Sequence, residues 1–185
     1  MSVTQVVASS LPETGVWSID SVHSSVRFSV RHHAVAHFRS SFSGIVGAYD
    51  AATTSLSGEV DVTNLDLNVE RLKAHLLSAD FFDAEKFPAF SFASSSISLD
   101  GSDLTLTGNL TLHGITKPIT ATGSVRGPQT VRHGDGHVSE RLGIDLTTII
   151  DRRNWDLNFN SEVAEGIINL GWDVRVEAAL ELALS

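Results

Sequence analysis

Apolar and polar residues alternate along much of the chain with a period of two. The alternation is clearest near the C-terminus, where Ile168, Leu170, Trp172, Val174 and Val176 share one side. This period places side chains on one face of a β-strand. It recurs in residues 22–30, 56–62, 104–112 and 142–146. Strands with one apolar and one polar face are typical of antiparallel sheets that are wetted on one side.

Residues 68–88 break this alternation and predict one helical excursion. Asn68 suits the N-cap of a short helix over Val69–Ser78, and Pro88 ends the excursion before the next strand. The alanines and leucines after Glu177 fit either a strand or a short helix. Turn signals stand at residues 100–101, 127–128, 134–136 and 165–166. The pattern predicts an all-β fold, a closed antiparallel β-barrel of about eight strands, because closure leaves no unpaired edges.

The length of 185 residues predicts a single domain, over residues 15–185, after a flexible N-terminal segment 1–14. The first residues have no basic n-region followed by an apolar run, which predicts a cytoplasmic protein. No apolar run approaches the roughly 18 residues of a membrane-spanning helix, so no transmembrane segment is predicted.

Composition narrows the possible functions. The absence of cysteine excludes thiol catalysis and thiolate metal sites. The net charge of −9 opposes general binding to nucleic acid or to anionic membranes, so no nucleic-acid partner is predicted. Any anion that this protein binds must therefore meet a local basic cluster.

The predicted lumen is apolar. An eight-stranded barrel is either filled by its own side chains or holds one small ligand, and here nine phenylalanines stand against a single tyrosine. Gly44, Gly58 and Gly108 fall on inward positions, where they either leave volume or mark bends. Burial of ~20 methylene-like carbons would contribute roughly 16 kcal/mol, against an association cost of about 4 to 15 kcal/mol. A long apolar chain is therefore the expected ligand.

Three basic clusters could hold a phosphate or carboxylate head group, or could be solvated surface charges. They lie at residues 31–39, 71–75 and 152–153. His32 and His33 on one strand would point to opposite faces. A transition-metal site that uses His33, His37, His75 or His113 remains an alternative, although no zinc-protease spacing is present. No catalytic motif occurs either, so neither catalytic residues nor a metal or cofactor is predicted.

Four segments carry a family resemblance. They are Trp17–Ser24, His75–Pro88, Gly108–Lys117 and Asp151–Trp155, and in this order they resemble the YceI-like family from about residue 15 to the C-terminus. The resemblance implies a lipocalin-like barrel with a helix beside it, often dimeric, that holds a polyisoprenoid or a similar amphiphilic lipid. It also implies binding, transport or storage without a catalytic step, and a link to stress responses.

Two positions depart from the pattern that the resemblance implies. Leu72 and Lys73 stand where family members commonly carry an arginine and an acidic residue. Arg71 is turned about 100° from Leu72 around a helix, so it does not simply replace that arginine. Asp156 stands where a glycine is common.

The sequence thus predicts a noncatalytic protein that binds a polyisoprenoid or fatty-acid-like lipid, either as a monomer or as a homodimer. The predicted lumen residues are Phe28, Phe42, Phe90, Phe92, Leu106, Leu110 and Trp172. The predicted mouth residues are Phe81, Phe82 and Trp155, and the predicted head-group residues are His23, His75 and Arg152. The alternatives are a histidine- or metal-dependent enzyme acting on an isoprenoid-like substrate, and a solid barrel that acts through its outer surface.

Overall fold

The computed structural model describes residues 10–185, and most of these residues form β-strands. The strands of this part of the chain are β1 (Val16–Ile19), β2 (Ser25–His32), β3 (Ala36–Phe42), β4 (Val46–Asp50), β5 (Ser55–Asp61), β6 (Leu65–Asp66), β7 (Ala89–Asp100), β8 (Asp103–Leu112), β9 (Ile115–Arg132), β10 (Val138–Asp151), β11 (Glu162–Ala164), β12 (Ile167–Ile168) and β13 (Leu170–Leu184). The helical elements described are α1 (Glu70–Leu77) and two 3-10 helices, Val62–Asn64 and Arg152–Trp155.

Eight strands close into an antiparallel barrel in the order β1-β4-β5-β7-β8-β9-β10-β13, and pairing of β1 with β13 joins the two ends of the sheet. The alternating strands turn their apolar faces inward, so that Leu106, Val125 and Leu182 are almost fully buried. The prediction of an all-β closed barrel of about eight strands is confirmed. No helix among residues 10–185 is long and apolar enough to cross a membrane.

The long strand β13 connects two different ends of the barrel. Its residues Leu182–Leu184 pair with β1, whereas Leu170–Ala179 pair with β2. From β2 the chain turns into β3, which pairs with β6 only at Ser41 and Phe42. We call the end around β1 and β4 the base end. The other end, where the β2–β3 hairpin, α1 and the 3-10 helix Arg152–Trp155 border one cavity, is the mouth end.

The predicted helix is present, but its cap differs from the prediction. Helix α1 runs from Glu70 to Leu77, one residue shorter at each end than predicted. The N-cap is Val69 and not Asn68, because the first helical hydrogen bonds, from the backbone N–H groups of Leu72 and Lys73, go to the Val69 carbonyl. A valine has no side-chain acceptor, so the first turn of α1 has no side-chain cap.

Two further predictions of local structure are wrong. Gly127–Pro128 is not a turn but lies inside β9, where Gly127 with φ +96° faces a register shift between Arg141 and Gly143 of β10. Positive φ at a glycine is what such a bulge requires. Val22 is not part of β2. It lies in the turn before β2 and is 83% exposed.

Both ends of the described chain lie against the barrel. Of the predicted flexible segment 1–14, residues 1–9 lie outside the described residues. The Pro12 carbonyl accepts a hydrogen bond from Tyr49 Oη at 3.1 Å, and the Thr14 carbonyl accepts one from Trp17 Nε1 at 3.1 Å. At the C-terminus β13 continues to Leu184 instead of turning into a helix, because β10 and β1 both pair with it there.

Candidate functional site

The barrel encloses two adjacent apolar chambers. The proximal chamber opens at the mouth end and has a cavity volume of about 240 Å³, and the distal chamber, toward the base end, has a volume of about 120 Å³. Val26, Phe90, Leu110 and Val176 line both chambers, so the two volumes meet at these residues. A solid barrel packed from end to end by its own side chains is therefore not what the fold forms.

The distal chamber has almost no polar surface. Phe92, Leu106 and Ile119 form part of its wall. Of the three glycines predicted either to leave volume or to mark bends, Gly58 lines this chamber, and a side-chain Cβ there would meet its nearest neighbour at an ordinary 3.6 Å. Gly108 leaves no volume, because the Phe92 ring lies over it at 2.3 Å from a Cβ position. Gly44 has φ +70° and marks a bend.

Phenylalanines dominate the proximal chamber. Phe42 lies 5.7 Å from Phe28, 5.6 Å from Phe82 and 5.1 Å from Phe90, measured between ring centroids. Helix α1 and the loop after it bring Phe82 to this cluster, because Leu76 anchors the helix in the core. The chamber wall is thus apolar and rich in aromatic rings, which suits a hydrocarbon chain.

An aromatic group narrows the mouth next to His75. The Phe81 and Phe159 rings lie 4.9 Å apart, and the His75 ring lies 5.2 and 5.1 Å from them. His75 Nε2 is 3.0 Å from Asp80 Oδ2, so the loop after α1 orients the imidazole. Both His75 and Phe159 line the proximal chamber.

Arg152 is a buried cation at the polar end of the proximal chamber. Its side chain donates to three carbonyls, through Nε to Gly171 at 2.9 Å, through Nη1 to Leu157, and through Nη2 to Leu170 at 3.4 Å. The Trp172 ring packs 4.4 Å from the guanidinium carbon. Burial lowers the pKa of Arg152, because the charged form loses water. Among residues 10–185 no carboxylate forms an ion pair with it.

Asn169 adds a second polar group to this end of the chamber. Its Oδ1 atom is buried and has no hydrogen-bond partner within the described part of the chain. Asn169 lines the proximal chamber together with Arg152 and Leu170. A buried polar atom without a partner is costly, so a ligand group there would relieve an existing penalty.

The structure places most of the predicted residues on the chamber walls. Those that line one or both chambers are Phe28, Phe42, Phe81, Phe82, Phe90, Phe92, Leu106, Leu110, His75 and Arg152. Trp172 does not line the lumen. Between Leu170 and Val174, β13 advances by four residues while its partner β2 advances by only two. The resulting bulge turns Trp172 outward, where its ring packs against Arg152 and Arg153.

Two other predicted residues also lie elsewhere. Trp155 is 2% exposed and packs in a second core cluster beside the chamber, not across its mouth. His23 lies at the base end, next to Glu181, whereas Arg152 contacts Gly171, ten residues earlier on β13. That separation is about 30 Å along the strand, which excludes His23 from the same head-group site.

Sequence reasoning missed Asn169, Phe159 and Leu72 as chamber residues. Asn169 falls on the polar side of the predicted alternation, but it lies between β12 and β13, outside regular strand, and faces the cavity. Leu72 lines the chamber, so this part of the wall is apolar. Asp156 has φ +56°, a backbone conformation that glycine adopts most readily.

The predicted metal alternative finds no support in the placement of the histidines. Within residues 10–185, one group of three metal-capable side chains lies close together, Asp20, His23 and Glu181. Arg141 Nη1 already donates to Asp20 Oδ2 at 2.7 Å and to Glu181 Oε1 at 3.1 Å. The group is therefore an ion-pair cluster that ties β1, β10 and β13 together. His32 and His33 stack at 3.8 Å instead of pointing apart, because His33 lies in a turn with φ +52°.

This base cluster predicts a stability maximum in weakly acidic solution. Hydrogen bonds from His23 and Arg141 hold the pKa of Asp20 well below its usual range, and Asp20 raises the pKa of His23. Stabilisation by Asp20 is complete above its unfolded pKa of about 3.9 and is lost as the pH falls through the folded value. Stabilisation by His23 is complete below its unfolded pKa of about 6.5 and is lost as the pH rises through the folded value.

Thermal unfolding between about pH 3 and pH 8 measures this dependence. We expect the difference in Tm between the wild type and Asp20→Asn to be largest from about pH 4 to 6.5. This difference in Tm should become smaller both below and above that pH range. His23→Gln should remove only the decrease on the alkaline side. Parallel Tm curves for the wild type and Asp20→Asn would contradict the assignment.

Comparisons with known proteins identify a family and relatives of similar sequence. A family model described as YceI-like domain matches residues 17–182. A UPF0312 protein of Staphylococcus aureus (strain MSSA476) is 29% identical over 174 residues, which cover 91% of this chain and 98% of the relative. A UPF0312 protein of Enterobacter sp. (strain 638) is 35% identical over 103 residues, about half of each chain.

Solved structures show the same fold at low sequence identity. BcnA of Burkholderia cenocepacia superposes with a TM-score of 0.68 at 20% identity, covering 88% of this chain and 98% of that one. A polyisoprenoid binding domain from Saccharophagus degradans, implicated in plant cell wall breakdown, has a TM-score of 0.70 at 14% identity. That match covers 91% of this chain and 98% of that one.

Proposed function

The chain belongs to the YceI-like family, and from this premise we propose that it binds a polyisoprenoid or a similar long-chain amphiphilic lipid in the barrel lumen, without a catalytic step. The observation that carries the proposal is the pair of adjacent apolar chambers. The similarity to the polyisoprenoid binding domain from Saccharophagus degradans supports the same ligand class.

The length of the cavity suits a long chain. Leu170 lines the proximal chamber and Leu180 the distal one, ten residues apart on β13. Because four steps of β13 face two of β2 within this stretch, the distance is about 26 Å along the strand, or about 20 Å along the barrel axis at a usual strand tilt. Each buried methylene contributes about 0.8 kcal/mol, so a chain that fills both chambers outweighs the cost of association without extensive polar recognition.

The head group would lie between Arg152, Asn169 and His75. A guanidinium has five N–H donors, and three of those on Arg152 go to carbonyls. The remaining donors suit an acidic head group, and Asn169 Oδ1 suits a hydroxyl on the same head. Because Leu72 replaces the family arginine, Arg152 supplies the buried positive charge of this site. His23 is not part of it.

Lipid content tests the proposal directly. Native mass spectrometry of the purified protein, followed by organic extraction, should show one lipid per barrel, and the same spectrum reports whether the chain is a homodimer. Elemental analysis of the same sample tests the enzyme alternative, since stoichiometric zinc, iron or copper would favour it. Leu106→Arg should abolish lipid loading, but Leu106 is 1% exposed and this variant can fail to fold.

A matched pair of glycine variants keeps the test independent of folding. Gly58→Val adds a side chain to the distal chamber, whereas Gly143→Val adds the same side chain near Arg126, where its Cβ meets nothing within 3.8 Å. We expect Gly58→Val to weaken binding of a long-chain fatty acid about tenfold or more, because overpacking costs about 1–3 kcal/mol. Gly143→Val should bind like the wild type. Equal binding by both variants would reject the lumen as the ligand site.

Transport or storage is the role that fits such a carrier, and cytoplasmic location and homodimer formation remain predictions. A storage protein needs no docking surface, whereas a transport protein must exchange its lipid with a donor or acceptor. The surface around the mouth end therefore helps to distinguish storage from transport.

A further inference from the structure

Two of the three basic clusters in the sequence lie on structural elements that border the same opening, and we call these elements its lips. The β2–β3 hairpin carries the cluster at 31–39, and α1 carries the cluster at 71–75. Both elements line the proximal chamber, through His32 and Leu72 among others. We propose that this mouth end docks onto anionic lipid bilayers, with the hairpin tip and the start of α1 as the contact surface. The role of such docking in lipid exchange rests on the proposed function.

The hairpin is basic and has no acidic residue between Ser25 and Phe42. Arg31 faces His37 across the hairpin, and Arg39 faces Ser29 two pairs further along, so that the two arginines share the outer face. Neither arginine takes part in an ion pair within residues 10–185. Burial lowers the pKa of His37, and the positive charges of Arg31 and Arg39 lower it further.

The tip of this hairpin presents an apolar side chain to solvent. His33 and Ala34 have φ of +52° and +60°, and the backbone N–H of Val35 donates to the His32 carbonyl at 3.2 Å. These values describe a tight two-residue turn of the kind that glycine and asparagine favour. The turn leaves Val35 81% exposed beyond the arginines.

Helix α1 carries two further cations on the other side of the opening, Arg71 and Lys73, together with one acidic residue, Glu70, in its first turn. Arg71 and Lys73 form no ion pair in the described part of the chain. Val69 is 58% exposed immediately before the helix, and Leu72 is partly exposed while it lines the chamber. Exposed apolar residues flanked by unpaired cations are the features of proteins that bind membrane interfaces.

The net charge of the whole chain limits the orientations in which the protein can bind an anionic bilayer. A net charge of −9 repels an anionic bilayer, so only an orientation that presents the two basic lips attracts it. The β11–β12 hairpin carries Glu162 and Glu165 and does not contribute to attraction. Each cation near an anionic surface strengthens binding about fivefold, so docking should be weak, reversible and sensitive to salt.

Sedimentation with vesicles tests the proposal. The wild-type protein should bind phosphatidylcholine vesicles that contain about one-third phosphatidylglycerol, and it should bind pure phosphatidylcholine vesicles at least tenfold more weakly. The double variant Arg31→Gln/Arg39→Gln should lose about 25-fold, from two charges at about fivefold each. Its matched control, Arg126→Gln/Arg132→Gln, has the same net charge but removes arginines from the paired region of β9.

A second matched pair tests the apolar tip. Val35→Ser should weaken vesicle binding severalfold, whereas Val22→Ser, in the turn at the base end and equally exposed, should leave it unchanged. Equal losses in both arginine doubles, equal binding to both kinds of vesicle, or no binding by the wild type would overturn the proposal. Gly58→Val should dock like the wild type, so failure of docking and failure of the lumen proposal give different results.

Discussion

Replacement of Trp155 by alanine should lower the free energy of unfolding by about 3–5 kcal/mol, the usual cost of deleting a large buried aromatic side chain. In a domain of this size that corresponds to a decrease in Tm of roughly 6–20 °C. Chemical and thermal denaturation followed by circular dichroism would measure it. The expected loss is a large fraction of the stability of an ordinary domain.

The reason for this large effect is a gap in the barrel wall. Pairing between β9 and β10 stops at Thr122 and Thr147, although both strands continue toward the mouth end. Trp155 packs beside Leu112 and Ile150 in the cluster at this place, and its Nε1 donates to the Leu110 carbonyl at 3.2 Å. The indole therefore replaces packing that a continuous sheet would supply.

Trp172 provides the control, because it is partly exposed and lies outside the lumen. Trp172→Ala should cost about 1–2 kcal/mol, clearly less than Trp155→Ala, because it removes cation–π contacts with Arg153 and with the buried Arg152. If both tryptophan variants lose the same stability, the packing of Trp155 does not have the role described above.

The second large effect is expected at Arg152. Arg152→Met should destabilise the protein by about 2–4 kcal/mol, because the carbonyls of Leu157 and Gly171 lose their side-chain donor in a buried setting. It should also remove a preference for acidic head groups. We expect the ratio of affinities for a long-chain fatty acid and for the alcohol of the same chain to fall about tenfold.

Arg153 is the matched control for this variant. It belongs to the same 3-10 helix and packs over the same Trp172 ring, but its side chain is half exposed and pairs with Asp151, with Nε 2.9 Å from Oδ1. Arg153→Met should change stability by no more than about 1 kcal/mol and leave the affinity ratio unchanged. An unaltered ratio in Arg152→Met would limit Arg152 to a structural role, and an unaltered stability would contradict its hydrogen bonding.

Much of the cavity wall was predictable from the sequence, because a strand has a fixed period. Phe90 and Phe92, or Leu106 and Leu110, lie on the same face whatever the details of the sheet. Once closure of the barrel is assumed, that face is the lumen. The same rule failed at Trp172, because two extra residues in β13 interrupt the alternation between Leu170 and Val174, and at Asn169, because that residue lies between β12 and β13 and not in a strand.

The head-group prediction shows a different limit. His23, His75 and Arg152 are alike in chemistry, and the sequence contains no measure of how far apart they lie. Pairing of β1 and β13 places His23 at the base end, whereas α1 and the 3-10 helix Arg152–Trp155 bring His75 and Arg152 to one chamber. Strand order, which depends on pairing between distant segments, separates them.

The sequence by itself determined the all-β barrel, the apolar lumen and the family, because alternation and local motifs depend on neighbouring residues. The tertiary structure decided which polar groups meet at the mouth, where the cavity is narrowed and which lips face outward. These properties depend on bulges, strand register and the points where pairing stops. Each of them results from contacts between residues far apart in the chain, and no local pattern encodes such contacts.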